Sequence, residues 1–271
     1  MSRPVPRGPV DTAMAPHSEV SATALLNLWL SRPQQTAVFL DVDGTLLDIA
    51  ESPDAVIVPP GLLDALKQLH RRLDGALALI SGRPVEELDR LLQPLRLAAS
   101  GGHGAHWRET GDSPLRRATR DLPACVRVQL NALANRHVGI LAEDKGSSYA
   151  LHYRCAPSLA AELRVELQAL LRAPEGAGLQ LLKGKQVYEV IGEGVDKARA
   201  VQRLMATPGF TGRLPLYIGD DVTDEPAIAL MRTLGGLGLS VGRAMPGASA
   251  VFSDAEQVRD ALMQAAGGHH R

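Results

Sequence analysis

The stretch Thr36-Ala-Val-Phe-Leu40 constrains the fold more than any other part of this chain. It is apolar after its first residue, rich in β-formers, and ends at Asp41-Val-Asp43-Gly44-Thr45. A short strand that is apolar on both faces needs cover on both faces, as in a parallel sheet flanked by helices. Gly75-Ala-Leu-Ala-Leu-Ile80 has the same character and runs into Ser81-Gly82-Arg83-Pro84. Between the two, Leu62, Leu63, Leu66, Leu69 and Leu73 fall at helical spacing behind Pro59 and Pro60. Pro84 opens a further helix to about Leu92. The alternation predicts a doubly wound parallel α/β sheet. It resumes after a gap, with a helix over Lys197–Met205, a strand Leu214–Gly219, a helix Pro226–Thr233, and short strands at Leu237–Val241 and Ala250–Phe252.

The gap holds something else. Leu122–His137 and Ser158–Arg172 have helical spacing, whereas Gly139–Glu143, Ser147–Arg154 and Leu179–Leu182 read as strands. Helix, hairpin, helix, hairpin is the pattern of a small α+β module, placed at 112–185 and inserted into the sheet domain. The core is then discontinuous, 21–111 and 186–266, with a short Ser-initiated helix over 21–30 and flexible tails at 1–20 and 267–271. Lys and Arg number 29 against 30 Asp and Glu, so the chain has no global basic field for nucleic acid and no polybasic membrane anchor. Aromatic residues make up 3%, too few for base-stacking surfaces. Apolar runs such as Leu25–Leu30, broken by Asn27, fall short of the ~20 residues of a spanning helix. Residues 1–20 carry Arg3, Arg7 and four prolines without an apolar centre, which reads as a cytoplasmic chain. Cys125 and Cys155 cannot make a disulfide framework, or a zinc site unaided, and are expected to be reduced and partly buried.

In a doubly wound sheet the loops at the carboxyl ends of the strands gather at one edge. Here those ends carry Asp41 and Asp43, Ser81, Lys197 at a helix start, and Gly219-Asp220-Asp221-Val-Thr-Asp224-Glu225. Singly, each reads as an ordinary turn, loop or surface lysine; together and in this order they read as one site. Asp41, Asp43, Asp220, Asp221 and Asp224 would crowd one crevice and raise one another's pKa values. A hard divalent cation relieves that crowding, and few protein ligands with room for water suits Mg²⁺. With Lys197 as a second positive point and Ser81 as a donor, the crevice suits a tetrahedral dianion and phosphoryl transfer. The first carboxylate of Asp-Val-Asp can attack phosphorus, and the second can protonate the leaving alkoxide and then deprotonate water. Gly44 lets the backbone turn tightly beside the phosphoryl group.

Phe-Leu-Asp41-Val-Asp43-Gly-Thr45-Leu, Ser81-Gly-Arg83, Lys197 and Gly-Asp220-Asp221-Val-Thr-Asp224-Glu225 resemble the four motifs of the haloacid dehalogenase (HAD) superfamily of phosphatases, over roughly residues 36–225. The resemblance implies Asp41 as nucleophile, Asp43 as acid/base, and Ser81 and Lys197 as phosphoryl binders. Gly44, Thr45, Gly82 and Arg83 join the substrate-binding set. It implies Mg²⁺ on Asp41, the backbone carbonyl of Asp43, and Asp220, with Asp221 and Asp224 as acidic neighbours. More narrowly, Leu-Ile-Ser81-Gly-Arg83-Pro, His103-Gly-Ala, Lys145-Gly with Leu-His152-Tyr-Arg154, and Gly184-Lys185 with Glu189-Val resemble the trehalose-6-phosphate phosphatase family. The inserted module is then a cap that closes over the sugar. Lys145, Lys185 and Glu189 match its sugar contacts, and His103, Arg154 and His152 are further candidates.

Two positions depart from the family pattern: His106 stands where Glu is usual, and Ala198 follows Lys197 where Gly is usual. The resemblance implies hydrolysis of trehalose 6-phosphate, with a trehalose-6-phosphate synthase as pathway neighbour. Other readings stay open: another sugar phosphate, such as sucrose 6-phosphate or mannosyl-3-phosphoglycerate, or a receiver-like phospho-switch without turnover. Nucleotide-binding signatures fail, since Lys197 occupies the third glycine position after Gly192 and Gly194.

Overall fold

The computed structural model describes residues 20–50, 55–184 and 186–267. The expected tails, apart from exposed Val20 and the helical Gly267, therefore lie outside the described residues. The chain opens with α1 (Ala22–Leu30), capped by the Ser21 hydroxyl, which accepts from the Ala24 amide at 3.2 Å. There follow β1 (Thr36–Leu40), α2 (Leu62–Arg72), β2 (Leu77–Ile80), α3 (Val85–Leu91) and β3 (Ala98–Gly101), then two short strands, β4 (His106–Arg108) and β5 (Arg116–Arg117). The inserted part contributes α4 (Ala124–Arg136), β6 (Leu141–Asp144), β7 (Ser148–His152), α5 (Ala160–Arg172), β8 (Leu179–Gly184) and β9 (Val187–Gly192). The chain then returns through α6 (Lys197–Met205), β10 (Leu214–Gly219), α7 (Glu225–Thr233), β11 (Leu237–Val241), β12 (Ala250–Phe252) and α8 (Ala255–Gly267).

The larger sheet runs β12-β11-β10-β1-β2-β3-β4-β5, parallel from β12 to β3 and antiparallel beyond. All five residues of β1 are buried, as its apolar run requires. Helices α1, α2 and α8 pack as one layer, and α6 with α7 as another. The order of strands reverses between β1 and β10, whose last residues pair Leu40 with Ile218. Asp41 and Asp220 leave those two strands side by side, at the switch point where such sheets bind ligands.

The second sheet, β6-β7-β9-β8, is antiparallel and has its own core of Tyr149, Leu151, Tyr188 and Val190 against Val126, Leu130, Leu163 and Leu167 of α4 and α5. Side-chain alternation puts Ser148 and His152 of β7, and Glu189 of β9, on the other face. The register sets Glu143, Ala150 and Glu189 abreast on that face.

Both expected boundaries of the inserted module move. The expected boundary falls between β8 and β9, whose strands pair from Leu179–Gly192 to Gly184–Val187, so the module runs on to Gly192. At the other end β5 pairs with β4 in the large sheet, so residue 112 is still core. The two thiols are free, as expected, but both are exposed rather than partly buried. No helix among the described residues is long and apolar enough to cross a membrane.

Candidate active site

Lys197 is the first residue of α6, whose N-cap Asp196 accepts from the Arg199 amide at 2.7 Å. Its ammonium lies 2.7 Å from Asp41 Oδ1 and 2.7 Å from Asp224 Oδ1. All three side chains are buried. Burial works against the Lys197 charge, but Asp224 and then Asp41 outweigh it and hold its pKa above the ordinary value. Asp41 is pushed well above the ordinary carboxylate range, first by burial and then by Asp224, with Lys197 opposing. Its second oxygen accepts from the Thr45 hydroxyl at 3.2 Å. Asp224 also takes the Tyr217 hydroxyl at 2.5 Å and the Asp221 amide at 3.0 Å, so both its oxygens are engaged.

Asp220 completes the group. Burial, then Asp224, push its carboxyl up to about 6. Its Oδ1 is buried and lacks a hydrogen-bond partner among the described residues. Carboxylate oxygens of Asp41, Asp220 and Asp224 all lie within 4.8 Å of one another. An orphaned buried carboxylate oxygen close to two further acids, with a lysine bonded only to those two among the described residues, fits a hard divalent cation. Gly44 makes the arrangement possible: its φ is +86°, and a Cβ there would lie 2.1 Å from Asp220 Oδ2. Its amide donates to Leu47 O at 2.7 Å, so this NH belongs to the turn.

Ser81 and Arg83 follow β2. The Arg83 amide donates to Ser81 Oγ at 3.1 Å. The guanidinium grips Asp43 with two parallel bonds, Nε to Oδ2 at 2.6 Å and Nη2 to Oδ1 at 2.7 Å, and reaches Glu87 Oε1 with Nη1 at 2.5 Å. Gly82 faces His103, and a Cβ on it would sit 2.5 Å from His103 Nε2. His103 has φ +53° and shares a 3.0 Å hydrogen bond with Glu189 Oε2 of the cap.

The cap closes over this edge through charged side chains. Glu189 is buried; its other oxygen accepts from the Ser148 hydroxyl and lies 3.6 Å from Lys145 Nζ. Burial alone would raise the Glu189 pKa, but Lys145 and His103 reverse that and hold it far below the usual range. Lys145 also donates to Gly82 O at 3.4 Å and faces Glu143, which in turn meets His152 Nε2 at 3.0 Å. Arg154 bridges to the core at Ala50 O, 2.6 Å, and to Gln186 Oε1, 3.1 Å. Glu143, Lys145, His152, Arg154 and Glu189 line one cleft of about 270 Å³, with Asp41, Asp43, Ser81, Lys197, Asp220 and Asp221 at its floor and Ile49, Val56, Leu141 and Val187 nearer its apolar walls.

The structure thus gathers Asp41, Asp43, Ser81, Gly82, Arg83, His103, Lys145, Arg154, Glu189, Lys197, Asp220 and Asp221 around one space. Thr45, Gly44 and Asp224 sit behind it as supports. Lys185 lies outside the described residues. His106 is turned away: it is buried, neither ring nitrogen has a partner among the described residues, and burial followed by Arg117 lowers its pKa. Reasoning from sequence missed Tyr217, Glu87, Ser148 and Glu143; a lone tyrosine in the aliphatic run of β10 was the one signal for the first. It also missed that Gly238-Leu239-Ser240-Val241-Gly242 has the spelling of an acyl-hydrolase elbow. Ser240 lies inside strand β11 and is buried, not on a strand-to-helix turn, so the match carries no nucleophile.

Comparison with known proteins agrees with this geometry. The trehalose-phosphatase family model matches residues 39–257. A Sinorhizobium fredii protein described as a probable trehalose-phosphate phosphatase is 41% identical over 220 residues, 80% of this chain and 82% of that one. The trehalose-6-phosphate phosphatase of Escherichia coli is 36% identical over 236 residues, covering 84% and 88%. The C-terminal domain of Candida albicans trehalose-6-phosphate phosphatase superposes with a TM-score of 0.79 at 23% identity, covering 93% of this chain and 98% of that domain. The fold is a HAD-like α/β core with an inserted α+β cap. The family match and the phosphatase relatives set aside the receiver-like switch. A phosphoric monoester hydrolase by its relatives, this chain belongs to the trehalose-phosphatase family.

Proposed function

We propose that this chain hydrolyses trehalose 6-phosphate to trehalose and phosphate by two displacements at phosphorus. In the first, the Asp41 carboxylate bonds to phosphorus as the bond from phosphorus to sugar oxygen breaks, and Asp43 gives its proton to the departing alkoxide. In the second, Asp43 takes a proton from water as that water bonds to phosphorus and the aspartyl-phosphate bond breaks, returning Asp41. Lys197 offsets charge on Asp41 and on the phosphoryl oxygens, and Ser81 Oγ donates to one of them. Asp41, the Asp43 carbonyl and Asp220 would hold a magnesium ion, which supplies positive charge against the acidic cluster and the phosphoryl group. The cap lysine and glutamate, Lys145 and Glu189, serve the sugar hydroxyls as donor and acceptor. In this reading the substrate comes from a trehalose-6-phosphate synthase in the cytoplasm.

One observation carries the reading: a buried lysine 2.7 Å from Asp41 stands beside the orphaned Asp220 oxygen, at the floor of a cleft roofed by a charged cap face. The test is phosphate release from a panel of trehalose 6-phosphate, sucrose 6-phosphate, mannosyl-3-phosphoglycerate and glucose 6-phosphate. Trehalose 6-phosphate should give the highest kcat/KM; a higher value for another member transfers the reading to that sugar.

A further inference from the structure

We propose that Arg83 is the positioning residue for the Asp43 carboxylate, anchored by Glu87, so that one acid/base serves both displacements from one place. The inference rests on the acid/base reading of Asp43 given above. In two successive in-line displacements, the leaving sugar oxygen and the attacking water occupy the same position opposite Asp41. A carboxylate that serves both must therefore stay where it is between the two half-reactions. Asp43 lies beyond the end of β1, in a turn closed by the Gly44 amide on Leu47 O at 2.7 Å. Its side chain is 36% exposed, so packing leaves its orientation open.

Arg83 supplies the missing constraint. The paired bonds from Nε and Nη2, 2.6 and 2.7 Å, fix the plane of the carboxylate as a single bond would not. Nη1 is held by Glu87 Oε1 at 2.5 Å, one helical turn on, and the Arg83 side chain is only 10% exposed. The backbone beneath is equally tied. The Arg83 amide donates to Ser81 Oγ at 3.1 Å, and its carbonyl accepts from the Gly102 amide at 3.0 Å. Gly101 passes so close that a Cβ there would stand 2.5 Å from that carbonyl. The cap adds Lys145 on the neighbouring Gly82 carbonyl at 3.4 Å. The anchored partner is thus the arginine, and the oriented one is the carboxylate. The Nε, Nη1 and Nη2 atoms each face a carboxylate oxygen, an arrangement suited to holding Asp43 and not to direct phosphoryl binding.

Substrates that differ in their need for a proton separate the roles. p-Nitrophenolate leaves without general acid help, whereas a sugar alkoxide does not. The full chain and its Arg83→Lys, Glu87→Gln and Asp43→Asn variants are compared for steady-state turnover of trehalose 6-phosphate and for the rapid-mixing burst of p-nitrophenolate from p-nitrophenyl phosphate. Arg83→Lys, which keeps the charge but not the fork, should lower kcat on the sugar phosphate about 30-fold or more, move KM less than about 3-fold, and slow the burst less than about 3-fold. Glu87→Gln, which leaves Arg83 in place, should show the same selectivity at about 3- to 10-fold. Equal losses of burst and sugar turnover, or a loss carried by KM, would overturn the inference and make Arg83 a phosphoryl binder or a scaffold. Asp43→Asn is the separate check. If its burst falls as far as its sugar turnover, the acid/base reading of Asp43 itself is wrong.

Discussion

The ammonium of Lys197 stands 2.7 Å from Asp41 Oδ1, although the two residues are 156 positions apart. The contact joins the first strand of the core to the first helix after the cap, so the insertion must fold back before the site exists. Lys197→Met removes the ammonium held between Asp41 and Asp224 and leaves both carboxylates buried. It should lower kcat about 1,000-fold or more and cost about 3 kcal/mol of stability in chelated buffer. Urea unfolding with phosphate-release assays measures both; a variant as stable as the parent would show that the acids are already protonated.

Two glycine substitutions should fail differently. Gly44→Ala forces a Cβ into Asp220 Oδ2 at 2.1 Å and strains a φ of +86°. It should cost about 2 kcal/mol and lower kcat about 100-fold. Gly82→Ala meets the end of the His103 ring instead, at 2.5 Å, and a side chain can swing away. Stability should change little, while KM for the sugar phosphate rises as the Glu189 contact is lost. Thermal melts and steady-state kinetics tell the two patterns apart.

Chelation should abolish turnover, and added Mg²⁺ should restore it. Because the ion would bind the native chain, Mg²⁺ at about 100 times its Kd should add roughly 2.7 kcal/mol of stability. Asp220→Asn should lose most of that gain, since it replaces the orphaned oxygen with a neutral amide. An undiminished shift in the variant, read by calorimetry, would move the ion elsewhere.

The cap contact has a defined pH window. Glu189 has its pKa held below its ordinary value of 4.5, against burial and because of Lys145 and His103. A lowered acid stabilises the folded form fully above its ordinary value and loses that contribution only as pH falls through the lower folded one. The ratio of kcat/KM between the parent and Glu189→Gln should therefore stay constant from pH 5 to 8, at about 10-fold or more, and shrink only in stronger acid. A ratio that already collapses between pH 7 and 5 would mean that Glu189 titrates there and is not held by this network.

Much of the core was readable because its determinants are local. An apolar run that ends in a polar cluster marks the carboxyl end of a buried strand, and Asp41, Ser81 and Asp220 all sit at such ends. Lys197 was readable for a similar reason, as the first residue of a helical pattern over Lys197–Met205. The cap was less so. The Val187–Gly192 strand belongs to the smaller sheet because it pairs with Leu179–Gly184, and a pairing partner is not written in either strand. The β4–β5 extension and the α8 helix went unassigned, since short edge strands and a C-terminal amphipathic run carry weak patterns. Arg83 shows the same limit in a single residue: its place after β2 was plain, but its partner is Asp43, 40 positions earlier.

By itself, the sequence determined which polar side chains would stand at the strand ends, because residue type and strand-end position are properties of a short segment. Tertiary structure alone decided what each of them faces: Lys197 between two acids, Arg83 on Asp43, His103 on Glu189, His106 and Ser240 withdrawn from the cleft. The physical reason is that a hydrogen bond or ion pair acts over a few ångströms, and only folding brings distant segments within that reach.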